Sequence, residues 1–137
     1  RLPQTYYFTD RVFLNQQDIR ELQLAKAAIA AGIRSLCLHR KTEVAQIRKL
    51  MIAGAFGNYL NPDSACAIGM LPAELRDRIS SIGNAAGEGA QIAALNVSEY
   101  EHSLRLREET EFLELALDPG FQDIYVDELG FPEEEMG

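Results

Sequence analysis

Two segments of this chain run from an apolar stretch straight into glycine and on into small, helix-forming residues. That repeated form constrains the fold more than any other feature. The first is Met51-Ile52-Ala53-Gly54-Ala55-Phe56-Gly57-Asn58; the second is Ser81-Ile82-Gly83-Asn84-Ala85-Ala86-Gly87-Glu88-Gly89-Ala90. Residues 47–53 and 79–82 read as the strands that feed them. The apolar end of the first lacks alternation, which predicts a strand covered on both faces, as in α/β proteins. A glycine at a strand's carboxyl end lets backbone N–H groups approach a ligand with no Cβ in the way. A helix N-terminus just behind it carries partial positive charge suited to phosphate, and in open α/β sheets that edge is where ligands bind. The same glycines also serve tight turns and close helix–sheet packing, so spacing alone leaves both roles open.

The rest of the pattern fills in around these turns. Residues 4–9 and 12–14 are aromatic and β-branched and read as short strands. Asn15 is placed to cap a helix over about residues 16–38, whose apolar residues Ile19, Leu22, Ala25, Ile29, Ile33 and Leu36 recur at spacings of three and four. Its centre is small (Ala25, Ala27, Ala28, Ala30, Ala31, Gly32), which predicts close approach to a sheet, with Gly32 bending the helix or ending its regular part. Residues 39–46 form a polar connection. Pro62 suits the first turn of a short helix reaching Met70, and Pro72 closes it. Residues 84–95 predict another helix, despite two glycines that cost about 1 kcal/mol each. Ser98 and Glu101 have the spacing of a capping box opening a charged helix. Residues 112–115 predict a strand, Asp118-Pro119 opens a last helix reaching about residue 129, and residues 133–137 form an acidic tail. Strands alternating with helices predict one α/β domain over residues 1–137, a mixed sheet flanked by helices.

Composition then narrows the function. A chain of 137 residues can form one real core without staples. It begins with Arg1, not methionine, which suggests a piece of a longer or processed chain. Cys37 and Cys66 are far apart and form no CxxC pair, so they read as small core residues in a reducing cytoplasm. No apolar run approaches the roughly 18 residues that span a bilayer, so no membrane role is expected. Charge is split: residues 1–97 carry 8 acidic and 11 basic side chains, and residues 98–137 carry 13 acidic and 2 basic. The acidic end repels phosphate backbones and argues against nucleic acid as a partner.

Other chemistries find little support. There is no HExxH and no GK[ST], and His39 and His102 stand alone as surface residues. Ser64, Ser80 and Ser81 have no nearby histidine to act as base. The first turn gives GxxG where a dinucleotide fingerprint needs GxGxxG; Asp77 lies at a suitable distance for a ribose, but Pro62 and Pro72 interrupt the single crossover. Glu88 reads as an exposed helix residue or a sugar or cation contact, and Lys26 as a snorkelling or paired surface lysine. No catalytic or metal-ligating residue is assigned.

Residues 47–57 and the Gly/Ala-rich stretch from Gly83, about thirty positions later, resemble the second lobe of the actin-like (ribonuclease H-like) ATPase superfamily. More specifically, four stretches are similar to the C-terminal region of the reductive activators of corrinoid proteins. They are Asp18-Ile19 with residues 24–33; Ile52-Ala53-Gly54-Ala55-Phe56-Gly57-Asn58-Tyr59-Leu60; Ala67-Ile68-Gly69-Met70-Leu71-Pro72; and Ile82-Gly83-Asn84-Ala85-Ala86. Residues 121–132 also fit. Ala55 stands where the superfamily has a second glycine. The resemblance implies a partial actin-like lobe in which Gly54, Ala55, Phe56, Gly57, Asn58, Gly83 and Asn84 face ATP with Mg, held mainly by the lobe this chain lacks. It implies that the intact protein hydrolyses ATP to drive reduction of a corrinoid partner protein, while this part alone is not a complete catalyst. It also implies that a two-iron iron–sulfur cluster sits only in the parent's N-terminal domain, and it leaves room for a homodimer. From a different class, a non-catalytic interaction or dimerisation module of the same fold is the alternative; a dinucleotide enzyme is a third.

Overall fold

Asn15 sets the start of the longest element. The computed structural model describes residues 5–133. In it the Asn15 side-chain oxygen accepts from the N–H groups of Gln17 (2.8 Å) and Asp18 (3.0 Å), and the Asp18 carboxylate accepts from Asn15 N–H at 2.9 Å. This reciprocal capping box opens α1 (Gln16–His39), which continues through Gly32 without ending there. Ahead of it, β1 (Thr5–Tyr7) and β2 (Phe13–Asn15) form an antiparallel hairpin with Tyr7 opposite Phe13, their rings 5.5 Å apart.

The predicted stripe supplies only part of the buried face of α1, with Leu22 and Ile33 packed against the core. Lys26, Ala27, Ala30, Ala31, Ser35 and Cys37 are buried, whereas Ala25, Ile29 and Leu36 are exposed. The small residues do permit close approach, but the main neighbour is a helix, α6 (Phe121–Asp127), and not a sheet. Lys26 is the second correction: it is only 1% exposed. Its Nζ donates to the Gly130 carbonyl and lies 5.7 Å from the centre of the Phe131 ring. Burial pushes its pKa below the usual lysine value, opposed by the nearby Glu128 carboxylate. Together with the Arg34–Glu128 ion pair, it ties the segment after α6 to α1.

The second sheet carries the glycine turns. Strands β3 (Leu50–Ile52) and β4 (Ile79–Ser81) pair in parallel, with Leu50 opposite Ile79 and Ile52 opposite Ser81. Between them the chain makes α2 (Ala55–Tyr59), α3 (Pro62–Ala67) and a 3-10 helix at Ala73–Arg78. Pro62 takes the first position of α3, and Asn61 caps it by accepting from Ser64 N–H at 2.9 Å. The core lies here: Ala65, Cys66, Met70 and Leu71 are buried, and Leu22, Ile33, Leu50, Ile52, Leu60, Ile68 and Ile79 pack against them. Cys37 and Cys66 are both buried free thiols, as expected, and burial together with Glu43 pushes the Cys37 thiol pKa up against the opposing Arg34 charge. The expectation of a strand covered on both faces fails at Met51, which is 58% exposed.

The remaining helices stand apart from that core. Helices α4 (Ala85–Leu95) and α5 (Val97–Glu109) pack on each other and bury no residue. Asn96, not Ser98, caps α5: its Oδ1 accepts from Ser98 N–H (3.0 Å) and from the Ser98 hydroxyl (2.8 Å). Ser98 therefore falls inside the first turn. Residues 112–114 form no strand, because no partner strand lies beside them among the described residues; a 3-10 turn follows at Leu115–Leu117. Gln4 of the predicted first strand and residues 134–137 of the acidic tail lie outside the described residues. No helix among the described residues is long and apolar enough to cross a membrane.

Candidate functional site

Parallel pairing brings the two glycine turns side by side. The ladder continues past the strands, with Ile82 N–H donating to Ile52 O at 3.0 Å and Gly54 N–H donating to Gly83 O at 2.6 Å. The turns are thus joined backbone to backbone. Gly54 (φ 82°) and Gly83 (φ 60°) lie in the region that side chains rarely adopt, and a Cβ added to either would meet nothing within 4 Å. Both glycines are there for backbone conformation, and neither is required by close packing.

Gly57 is different in kind. A Cβ there would fall 2.7 Å from the Ile52 carbonyl oxygen and 3.0 Å from its Cγ2. Its hydrogen side lets α2 sit against the end of β3, and its N–H donates to Gly54 O at 3.2 Å. Asn84 caps α4, its Oδ1 accepting from Gly87 N–H at 3.1 Å. Of the seven residues expected to face a nucleotide, Gly57 is therefore buried in packing and the Asn84 oxygen is engaged by its own helix. Gly54 and Gly83 are half-buried, and Ala55, Phe56 and Asn58 are exposed, Phe56 by 56%. All seven lie at one sheet edge, where the N-terminus of α4 adds partial positive charge.

In the sequence Ser81 has no nearby histidine to act as base and so marks no site. In the fold its hydroxyl donates to Asn58 Oδ1 at 3.2 Å, linking the end of β4 to α2. The signal was its place as the last strand residue two positions before Gly83. The other residues considered stay away from this edge or from chemistry. His39 pairs with Glu111 at 3.0 Å, His102 lies 3.7 Å from Glu99, and Glu88 is exposed on α4. Among the described residues, no group of three or more His, Cys, Asp or Glu is placed to hold a metal.

A short parallel pair ending in joined glycine turns, each followed by a helix, is the build of one partial lobe of an actin-like, or ASKHA, domain. The sequence matches, over residues 3–137, the family described as the C-terminal domain of RACo, the ASKHA domain, and the chain belongs to that family. It is 38% identical over 115 residues to the corrinoid activation enzyme RamQ of Eubacterium limosum, a match covering 84% of this chain and 19% of that protein. It is also similar to the solved structure of a reductive activator for corrinoid, iron–sulfur protein. That likeness has a TM-score of 0.77 at 32% identity and covers 88% of this chain and 19% of the other. The chain spans about a fifth of the length of these relatives.

Proposed function

We propose that this chain is the C-terminal part of an ATP-dependent reductive activator of corrinoid methyl-transfer proteins, and that it forms one wall of the nucleotide cleft. The observation that carries the reading is the pair of turns joined through Gly54 N–H and Gly83 O, with empty space where either Cβ would stand. An edge of that kind would suit the adenosine and phosphate side of ATP. The residues do not fit the other groups such an activator uses. A two-iron cluster needs four ligands, classically thiolates, and the two cysteines here are separate and buried. On this reading a cluster would be carried elsewhere in the parent, in an N-terminal domain, and Mg would be held mainly by the opposite wall. This chain supplies the glycine-turn edge and the exposed Phe56 surface, in a reducing cytoplasm, and the corrinoid protein is the partner of the whole.

Calorimetry with Mg-ATP tests this on a chain carrying both lobes and on this chain alone. Binding by the two-lobed protein, with weak or undetectable binding by residues 1–137, is the expected result. No heat from the two-lobed protein at high concentration sinks the nucleotide reading, and micromolar affinity in residues 1–137 sinks the single-wall reading. A second reading, a non-catalytic interaction or dimerisation module, is favoured by the α4–α5 arm, where Leu95 is 89% exposed and Val97, Tyr100 and Leu106 are also exposed. It predicts that nucleotide binding is absent while deleting the arm abolishes association.

A further inference from the structure

The geometry points to Ser81 as the residue that positions the Asn58 carboxamide, so that Asn58 offers its Nδ2 N–H groups to an acceptor oxygen of the nucleotide. The inference rests on the nucleotide reading above and adds to it a residue outside the glycine turns.

Asn58 lies near the end of the short helix α2 (Ala55–Tyr59), and helical side chains lean back toward the helix N-terminus. That lean carries the carboxamide toward the sheet edge, where Ser81 closes β4 directly opposite Ile52. The Ser81 hydroxyl donates to Asn58 Oδ1 at 3.2 Å. A carboxamide has one acceptor oxygen and one NH₂ group with two donors. With the oxygen held by Ser81, what the side chain presents is the donor end. An ambivalent group becomes one suited to the oxygens of a ribose or phosphate and poorly suited to a ligand donor.

The bond is not needed to hold the turns together. Ile82 N–H to Ile52 O and Gly54 N–H to Gly83 O already join them through the backbone. Both side chains are exposed, so removing one leaves no buried polar group without a partner, the usual source of a large stability loss. A contact with little to do in folding, beside the joined glycine turns, is what a positioning residue looks like.

The test uses the two-lobed protein, measuring Mg-ATP affinity by calorimetry and thermal unfolding for each variant. Asn58→Asp keeps the shape but removes both donors and adds negative charge; it is expected to weaken ATP binding at least about thirtyfold, and Asn58→Ala about tenfold. Ser81→Ala should weaken it by about three- to tenfold with an unchanged melting temperature, and Ser81→Thr, which retains the hydroxyl, should restore most of the loss. The double variant Asn58→Ala/Ser81→Ala should bind no worse than Asn58→Ala alone, because Ser81 acts only through Asn58. Wild-type affinity in Ser81→Ala, additive losses in the double variant, or a melting temperature that falls in step with affinity would each overturn the assignment. A wild-type protein that does not bind ATP fails the earlier reading before any variant is compared.

Discussion

The two glycine turns share a sequence form and differ in their physics. At the first, Gly57 brings backbone against backbone, with room for a hydrogen but not a methyl beside Ile52 O, and α2 leads through Leu60 into the core. At the second, Asn84 caps a helix that leaves the sheet and buries nothing. One turn is fixed by packing and the other by a cap at a solvated edge. Glycine spacing marks where such turns occur; what a missing Cβ would touch separates close approach from conformational need.

That contrast breaks most visibly at Gly57. Gly57→Ala should destabilise the chain by about 2–3 kcal/mol, since the clash is with a backbone oxygen that moves only if the strand moves. Urea unfolding measures it, and a loss below half of this would mean α2 is not tightly seated. Next comes Gly54→Ala, at about 1–3 kcal/mol from backbone strain alone, because its φ of 82° and ψ of −176° belong to a region nearly reserved for glycine. Gly83→Ala, nearer the left-handed helical region at φ 60°, should cost about 1–2 kcal/mol. Neither adds a clash, since a Cβ at either glycine meets nothing within 4 Å, so the whole of each loss is backbone strain. Asn84→Ala then removes a cap worth about 1 kcal/mol, and hydrogen exchange should show the effect in α4 while the β3–β4 amides keep their protection.

Most of the elements around these turns were legible before any coordinates. Asn15 and Pro62 act locally, through hydrogen bonds or fixed dihedrals within a few residues, and each begins a helix where its chemistry predicts; the helix expected over residues 84–95 forms too, with Asn84 as its cap. Ser98 had the right local chemistry too, but Asn96 took the cap position two residues earlier. The failures concern what lies across the fold. The bulky stripe of α1 predicts its buried face, yet its most buried residues include Ala27, Ala30 and Ala31, and its main helical neighbour is α6, a relation set by residues some ninety positions away. Lys26 read as a surface residue because nothing near it in sequence shows the Gly130 carbonyl and Phe131 ring that receive it. The sequence groups the seven turn residues and the fold brings them to one sheet edge, but their division into packed, capped and open positions is not legible from it. Nor was Ser81, whose role depends on a parallel pairing that brings residues 58 and 81 together.

The smallest expected effect has the opposite sign. Gly89 lies inside α4, and a Cβ there would meet nothing within 4 Å. If α4 is an open helix governed by its cap and its intrinsic propensity, Gly89→Ala should stabilise it by about 0.5–1 kcal/mol, because alanine loses less backbone freedom on becoming helical. Hydrogen exchange at residues 90–95 should slow, with little change in β3 or β4. The same substitution in the two-lobed protein sharpens the comparison further. A gain in both settings keeps α4 open; a gain in this chain turned into a loss in the larger one would mean that another surface presses against Gly89. The second turn would then be packed like the first, by residues outside this chain.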